Sequence, residues 1–398
     1  MSNKEKILDI INKNKDDFIK IREYLHEYPE LSNQEFKTTE FITNKLTSWG
    51  YEIEDTNLET GLIAKLCKEN NKEFIAIRSD IDALPIKEKT GLSYCSKIEN
   101  VSHSCGHDIH MGTLLLVAKI LSELKDELNI NVLFIFQPAE ESLGGSDRIV
   151  DTGIFEKYYI KQIIGAHSWP FIESGKIGLL KKEFMASSDL FEIKILAKGG
   201  HGAHPEDCID PVVIAANIIL TLQTIISRSI APLDSGVITI GKIEGGNAPN
   251  VIADEIVLSG TIRSVNNEIR SKIKNEIKNI SENISIAMGA RAEVNFIDGV
   301  AALVNTPDVV ERIEKSAKNI IGEENVVYLA KPSMGSEDFS RYLEIVPGAM
   351  FRIGTANDDE NSRLGLHNSK NIFDTNAIFA GGKVISNYIL EYFKWLNQ

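Results

Sequence analysis

A chain of 398 residues has the length of about two to three domains and enough apolar surface for cores that need no covalent staples. Its 43% hydrophobic and 25% charged residues are those of a globular protein rather than a disordered or fibrous one, and a formal net charge of -14 argues against nonspecific nucleic-acid binding, which rests on neutralising phosphates with Lys and Arg. The four scattered cysteines (Cys67, Cys95, Cys105, Cys208) form no disulfide framework, the charged N-terminus shows no leader pattern, and no run reaches about 18 apolar residues. These features predict a cytoplasmic protein with no membrane partner.

Helical spacing of Ile7, Leu8, Ile11, Phe18, Ile21 and Leu25 predicts one or two helices over 4–28, closed by Pro29, and a second pattern predicts a helix over 35–48 ending at Gly50. Strands follow near 51–55 and 62–65 and at the buried run 74–77, which delivers Asp80 and Asp82. Next comes His103-Ser-Cys-Gly-His-Asp-Ile-His110, with three imidazoles, a thiol and a carboxylate in eight residues. If this run is extended, His103, Cys105 and His107 point to one side; the bland alternative is a polar surface loop. A helix is predicted over 111–124, a buried strand over 129–136 that presents Glu140 and Glu141, and a short strand at 163–164 leading to His167. This alternation predicts an α/β layer sandwich with a largely parallel sheet, whose ligands lie beyond the carboxyl ends of the strands.

From about residue 184 the pattern changes to strand 190–197, helix 210–229, strands 237–243 and 256–263, helix 266–288 and strand 292–297. That β-α-β-β-α-β order is ferredoxin-like and predicts an inserted α+β domain. The expected division is 1–183 and 298–398 for a discontinuous catalytic domain and 184–297 for the insertion, with helix 307–321, a strand near 347–353 and helix 374–396 completing the first.

Cys105, His107, Glu141, His167 and His367 fall at predicted loops or strand ends and suit a divalent metal; one bridging thiolate with two further ligands per ion leaves open positions, as catalytic sites require. Taken singly, each histidine is more often a surface or hydrogen-bonded core residue. Of the paired Glu140 and Glu141, one is suited to ligate metal while the other serves as general base, against the alternative of a solvated acidic turn. Asp80 or Asp82 is placed to hold a ligand histidine in its tautomer, or to cap a helix. His201 in a glycine-rich turn, Asn250, the carboxylate-binding fork of Arg263, and Gly335 and Ser336 in a loop are candidate substrate contacts; the alternative for Ser336 is a helix N-cap.

These motifs carry a family. Asp80 to Pro85 (DIDALP), His103 to His110, Gln137 to Glu141 (QPAEE), Gly199 to His201, Asn250 to Ile252, Gly260 to Arg263, Gly335 to Phe339 and Gly365 to His367 resemble, in order, the M20 metallopeptidases, over about residues 18–392, and most of all their aminoacylase/hippurate hydrolase/indoleacetyl-amino-acid hydrolase subgroup. The resemblance implies a catalytic α/β/α sandwich with a mixed sheet, a ferredoxin-like lid through which members often form homodimers, and two divalent ions, Zn or Mn before Co or Ni. It implies Cys105 as bridging ligand, His107 and His167 at one ion, Glu141 and His367 at the other, Glu140 as general base, Asp82 as the supporting carboxylate, His201 as the lid group that polarises the scissile carbonyl, and Asn250 and Arg263 as substrate contacts. Asp80 stands where other branches place a ligand histidine, and His204 where an apolar residue is expected. The implied reaction is hydrolysis of a small N-acyl amino acid to a carboxylate and a free amino acid. Alternatives are N-acetyl-diaminopimelate deacetylation, a dipeptidase or carboxypeptidase of the same family, and a metal-stabilised binding protein without catalysis.

Overall fold

The computed structural model describes residues 1–68, 71–142 and 144–396. They form two compact units: Met1–Lys182 with Asn305–Lys331 and Arg341–Gln398, and Glu183–Val304 with Pro332–Ser340.

The larger unit is built on an eight-stranded mixed sheet in the order Glu52–Ile53, Leu62–Leu66, Asn131–Gln137, Glu73–Asp80, Tyr159–Glu173, Gly348–Ala356, Ile177–Leu179, Val326–Tyr328. Its centre is parallel: Glu73–Asp80 pairs with both Asn131–Gln137 and Tyr159–Glu173, and the latter with Gly348–Ala356. Every residue of Asn131–Gln137 and of Gly348–Ala356 is buried, which is why those segments read as apolar runs without alternation. Helices Asn3–Glu27, His107–Glu123, Ala377–Leu390 and Pro307–Ile321 pack in that succession, and their apolar stripes share one core with the sheet. The first is a single helix, opened by a capping box between Ser2 and Glu5.

The smaller unit runs on to Val304 and takes in Pro332–Ser340 rather than stopping at residue 297, and two element boundaries near the His/Cys run and His167 also differ from the sequence expectations. The strand that leads to His167 is not short; it runs over Tyr159–Glu173, and its polar and aromatic second half hid its continuation. The His/Cys run is not extended throughout, because the helix starts at His107 rather than near Met111, after a turn in which Gly106 adopts a left-handed φ of 84°.

The smaller unit has strands Asp189–Leu196, Gly236–Gly245, Glu255–Ser264 and Arg291–Asp298 and helices Pro211–Thr224 and Asn267–Ala287. Sheet order is Gly236–Gly245, Glu255–Ser264, Asp189–Leu196, Arg291–Asp298, antiparallel throughout, the ferredoxin-like arrangement. Period-two burial turns Phe191, Ile193, Ile195, Ile256, Leu258 and Ile262 toward the helical residues Ile214, Ile218, Leu222, Ile273 and Ile277, which together form a separate core. The stretch Pro211–Ser229 is apolar and long enough to cross a membrane by length and composition alone. One of its faces packs into this core, and the other exposes Val212, Val213 and Leu220.

Candidate metal centre

Strand register brings the chemistry to one edge of the large sheet. Asp80 lies opposite Gln137 and Arg78 opposite Gly165, so Asp80 and Asp82 and Glu140 and Glu141 emerge where two parallel strands end, level with His167 on the longer strand beside them. The turn after His103 and the first residue of helix His107–Glu123 supply Cys105 and His107 to the same edge. No side chain fits at Gly106: a Cβ there would lie 2.4 Å from Ser168 Oγ, and that hydroxyl donates to the Cys105 carbonyl at 2.7 Å. His367 is held in a left-handed conformation, φ 64°, with its amide donating to Ser104 O at 2.9 Å.

Five of the predicted residues come together in two sets that share one sulfur: Cys105, His107 and His167, and Cys105, Glu141 and His367, each with its donor atoms within 4.8 Å of one another. Glu140 groups with His107 and Glu141 on the same criterion. His107 Nδ1 donates to the Asp82 carbonyl and His167 Nδ1 to the Ser168 carbonyl, both at 2.8 Å. A donating Nδ1 leaves the Nε2 lone pair of each ring for a cation. His107 Nε2 and Glu141 Oε1 are buried without a hydrogen-bond partner among the described residues, although such atoms are costly to leave unsatisfied. Thiol, imidazole and carboxylate donors with orphaned ligand atoms fit divalent metal.

The electrostatics agree. Burial and the carboxylates of Glu141, Glu140 and Asp80 push the Cys105 thiol well up from its usual range. Burial opposes charge on His107, yet Asp80 and Asp82 push its imidazolium up to about 10. Burial, with His110 and Arg352 nearby, holds His167 neutral far below its usual value. A concentration of negative charge that forces protons onto a thiol and an imidazole is one that cations displace.

Around this centre the supporting residues sort themselves. Asp82 Oδ2 accepts from the Ser32 hydroxyl at 2.6 Å and from the Glu141 amide at 3.0 Å, while Oδ1 lies 3.4 Å from His107 Nδ1. Asp80 is held by Arg78 at 2.8 Å and by His110 Nδ1 at 2.6 Å, and His110 Nε2 accepts the Ser168 amide at 2.6 Å. Asp108 is buried against Arg22 at 2.9 Å and His26 at 2.7 Å, whereas His103 is buried with neither ring nitrogen hydrogen-bonded among the described residues.

Sequence reasoning missed the loop between the first two helices. Ser32 and Glu35 have the spacing of a capping box, but the Phe36–Ser48 helix has no side-chain cap at Glu35; Glu30 accepts its Lys37 and Thr38 amides instead. Glu35 is fully buried and accepts the Ala139 amide at 2.8 Å.

The remaining candidates belong to the smaller unit. His201 and Asn250 are neighbours: Gly200–His201 pairs with Val251–Ile252, and the Gly202 amide donates to Asn250 O at 2.9 Å. His201 Nδ1 accepts the Ala203 amide at 3.1 Å, which leaves the proton on Nε2 as an outward donor. The His204 ring packs edge-on against His201 at 5.6 Å. Arg263 donates to Ser336 Oγ at 3.1 Å, and Gly335 O accepts the Ala186 amide. Ser336 therefore does not cap the Ser340–Leu343 helix; in that turn the Glu337 carboxylate accepts the Phe339 amide.

Comparison with known proteins gives a coherent set. A family profile described as peptidase family M20/M25/M40 matches residues 76–391. N-acetyl-L-cysteine deacetylase of Bacillus subtilis is 40% identical over 342 residues, 86% of this chain and 81% of that protein. Hippurate hydrolase of Campylobacter jejuni is 36% identical over 95% of this chain and 97% of its own length. Among solved structures, a dinuclear metal-binding peptidase of the M20 family from Bacillus subtilis superposes with a TM-score of 0.83 at 31% identity, covering 95% of this chain and 98% of that one.

Proposed function

From a chain that belongs to peptidase family M20/M25/M40, we propose a metal-dependent amidohydrolase that cleaves the amide bond of N-acyl L-amino acids, with acetyl, benzoyl or similar acyl groups. The observation that carries it is Cys105 shared between two three-residue donor sets, with Glu140 beside them. Two of the relatives are named for removing an acyl group from an amino acid. Two ions would be held by these donor sets, one by His107 and His167 and the other by Glu141 and His367, with Cys105 common to both. The thiolate and imidazoles favour zinc, and the carboxylate also suits manganese, with cobalt or nickel as further fits.

When bound, the ions supply Lewis acidity that acidifies water and polarises the amide carbonyl. Glu140 takes the proton of the attacking water and returns it to the leaving amine. Asp82 holds His107 in its binding tautomer and carries the Glu141 amide. His201, whose tautomer leaves Nε2–H free to donate, stabilises the negative oxygen that develops on the carbonyl. Arg263, paired among the described residues with a hydroxyl rather than a carboxylate, receives the substrate carboxylate, with Asn250, Gly335 and Ser336 as further contacts.

The smaller unit acts as a lid and homodimer contact in this proposal, a role supported by the exposed Val212, Val213 and Leu220 of its first helix. Four free cysteines fit a cytoplasmic setting.

The test is hydrolysis by the metal-loaded protein of a panel of N-acetyl and N-benzoyl amino acids, N-acetyl-diaminopimelate and dipeptides, with Glu140→Gln alongside. The variant is expected to keep both ions and lose turnover by about 1,000-fold or more. Turnover retained in Glu140→Gln removes the base assignment, and a preference for dipeptides replaces the acyl substrate.

A further inference from the structure

The turn that carries Glu140 is held in an unusual way. Ala139, the residue before it, has a left-handed φ of 55°, a conformation that is unfavourable for an L-residue with a Cβ and that persists only where surroundings over-determine it. Two buried carboxylates grip the backbone on either side of Glu140: Glu35 accepts the Ala139 amide at 2.8 Å, and Asp82 accepts the Glu141 amide at 3.0 Å. Both grips trace to one loop. Ser32 bonds Asp82 at 2.6 Å, Glu35 follows three residues later past the left-handed Asn33, and the loop is tied to the Asp82 segment by the Ala83 amide donating to Glu30 O at 2.8 Å.

Glu35 is an expensive way to hold a backbone amide, even with the Thr60 hydroxyl as a second partner. It is fully buried, and nearby Asp82 repels its charge. A shorter neutral acceptor would carry the same hydrogen bond at lower desolvation cost, so reach and rigidity are what the side chain contributes.

We propose that Glu35 is a positioning residue for hydrolysis: through the Ala139 amide it locks the left-handed turn that aims Glu140 at the attacking water. This rests on Glu140 as the base, and it assigns Glu35 no contact with substrate or metal. The role needs an acceptor oxygen at the end of a three-carbon reach and needs no charge.

Two near-isosteric variants separate reach from charge. Glu35→Gln keeps the oxygen and loses the charge; its kcat is expected within about threefold of the parent. Glu35→Asp keeps the charge and shortens the reach; its kcat is expected to fall about 10–100-fold, the scale of a misplacement near 1 Å, with KM within about threefold, two ions still bound by elemental analysis and an unchanged melting temperature. If Glu35→Gln is as impaired as Glu35→Asp, or Glu35→Asp keeps full kcat, the proposal is overturned. Loss of metal or of melting temperature in step with kcat also overturns it, since that is a purely structural role. Glu140→Gln in the same assay keeps the two ideas apart: retained turnover there defeats the base assignment, whereas an inactive Glu140→Gln beside a fully active Glu35→Asp defeats only the role of Glu35.

Discussion

At the scale of single residues, the titratable groups divide between those awaiting a cation and those that hold the site's frame. Glu88 belongs to the second kind. Burial works to raise its pKa, but the hydrogen bond and charge of His26, the Thr90 hydroxyl and the Ser96 amide bring it down to about 2. Through His26 it is connected to Asp108, the neighbour of His107. A carboxylate with a depressed folded-state pKa contributes stability that is complete above its unfolded value of about 4.5 and is lost as pH falls through the folded value. Glu88→Gln should therefore lower stability at neutral pH by up to about 3 kcal/mol and flatten the fall between about pH 4.5 and 2 by one proton's worth of slope. Urea unfolding midpoints measured across that range decide it; parallel acid limbs in parent and variant would refute the assignment.

Single residues were also where the sequence was most uneven as a guide. The metal-capable side chains were legible because thiol, imidazole and paired carboxylates are rare enough to stand out at loops. Glu35 was not, because it has the spacing of a helix start. The partners of His110, Asp80 and a backbone amide of a distant strand, are a link that no local pattern encodes.

Among elements, the close packing of helices Ala377–Leu390 and His107–Glu123 matters most for the site, because the second of these begins with His107. Three glycines permit it. A Cβ on Gly112 would meet Ile378 at 3.2 Å, one on Gly382 would meet Leu116 at 2.6 Å, and one on Gly381 would lie 2.6 Å from Ile353 and 2.8 Å from Thr113. Gly381→Ala gains about 1 kcal/mol of helix propensity against an overpacking cost of about 1–3 kcal/mol. Gly381→Val adds two methyl groups beyond that of Gly381→Ala and loses much of the propensity gain, so it should destabilise by about 2–4 kcal/mol, clearly more than Ala. Thermal denaturation of the two variants tests the order, and equal melting temperatures would show that the interface yields. Element types were legible wherever burial imposes a simple period, as in the all-buried strand Asn131–Gln137 and the alternating Glu255–Ser264. Boundaries failed where tertiary contacts decide them: the helix begins at His107 because Gly106 turns against Ser168, a contact set by a strand some sixty residues away.

For the molecule as a whole, two separate cores imply two separable stabilities. Metal bound at the Cys105 centre belongs to the larger unit alone. At ligand concentrations of 100 times Kd, each site adds about 2.7 kcal/mol to the state that binds it. Chelation should thus lower one calorimetric transition by several degrees, abolish turnover and leave a second transition, that of the smaller unit, in place; restoring Zn²⁺ or Mn²⁺ should reverse the shift. A thermogram indifferent to prolonged chelation would contradict a metal centre in the larger unit.

The strand order has a bearing on how the protein is made. Gly348–Ala356, the last strand among the described residues, sits between Tyr159–Glu173 and Ile177–Leu179, in the interior of the sheet. Until the ribosome has released it, Tyr159–Glu173 presents an unpaired, apolar edge, the kind that recruits foreign strands. At about 5–20 residues per second that edge stays open for roughly ten seconds or more of synthesis. Chains shortened by a premature stop before this strand would retain the exposed edge for good, and their fate is aggregation or proteolysis rather than a smaller working enzyme.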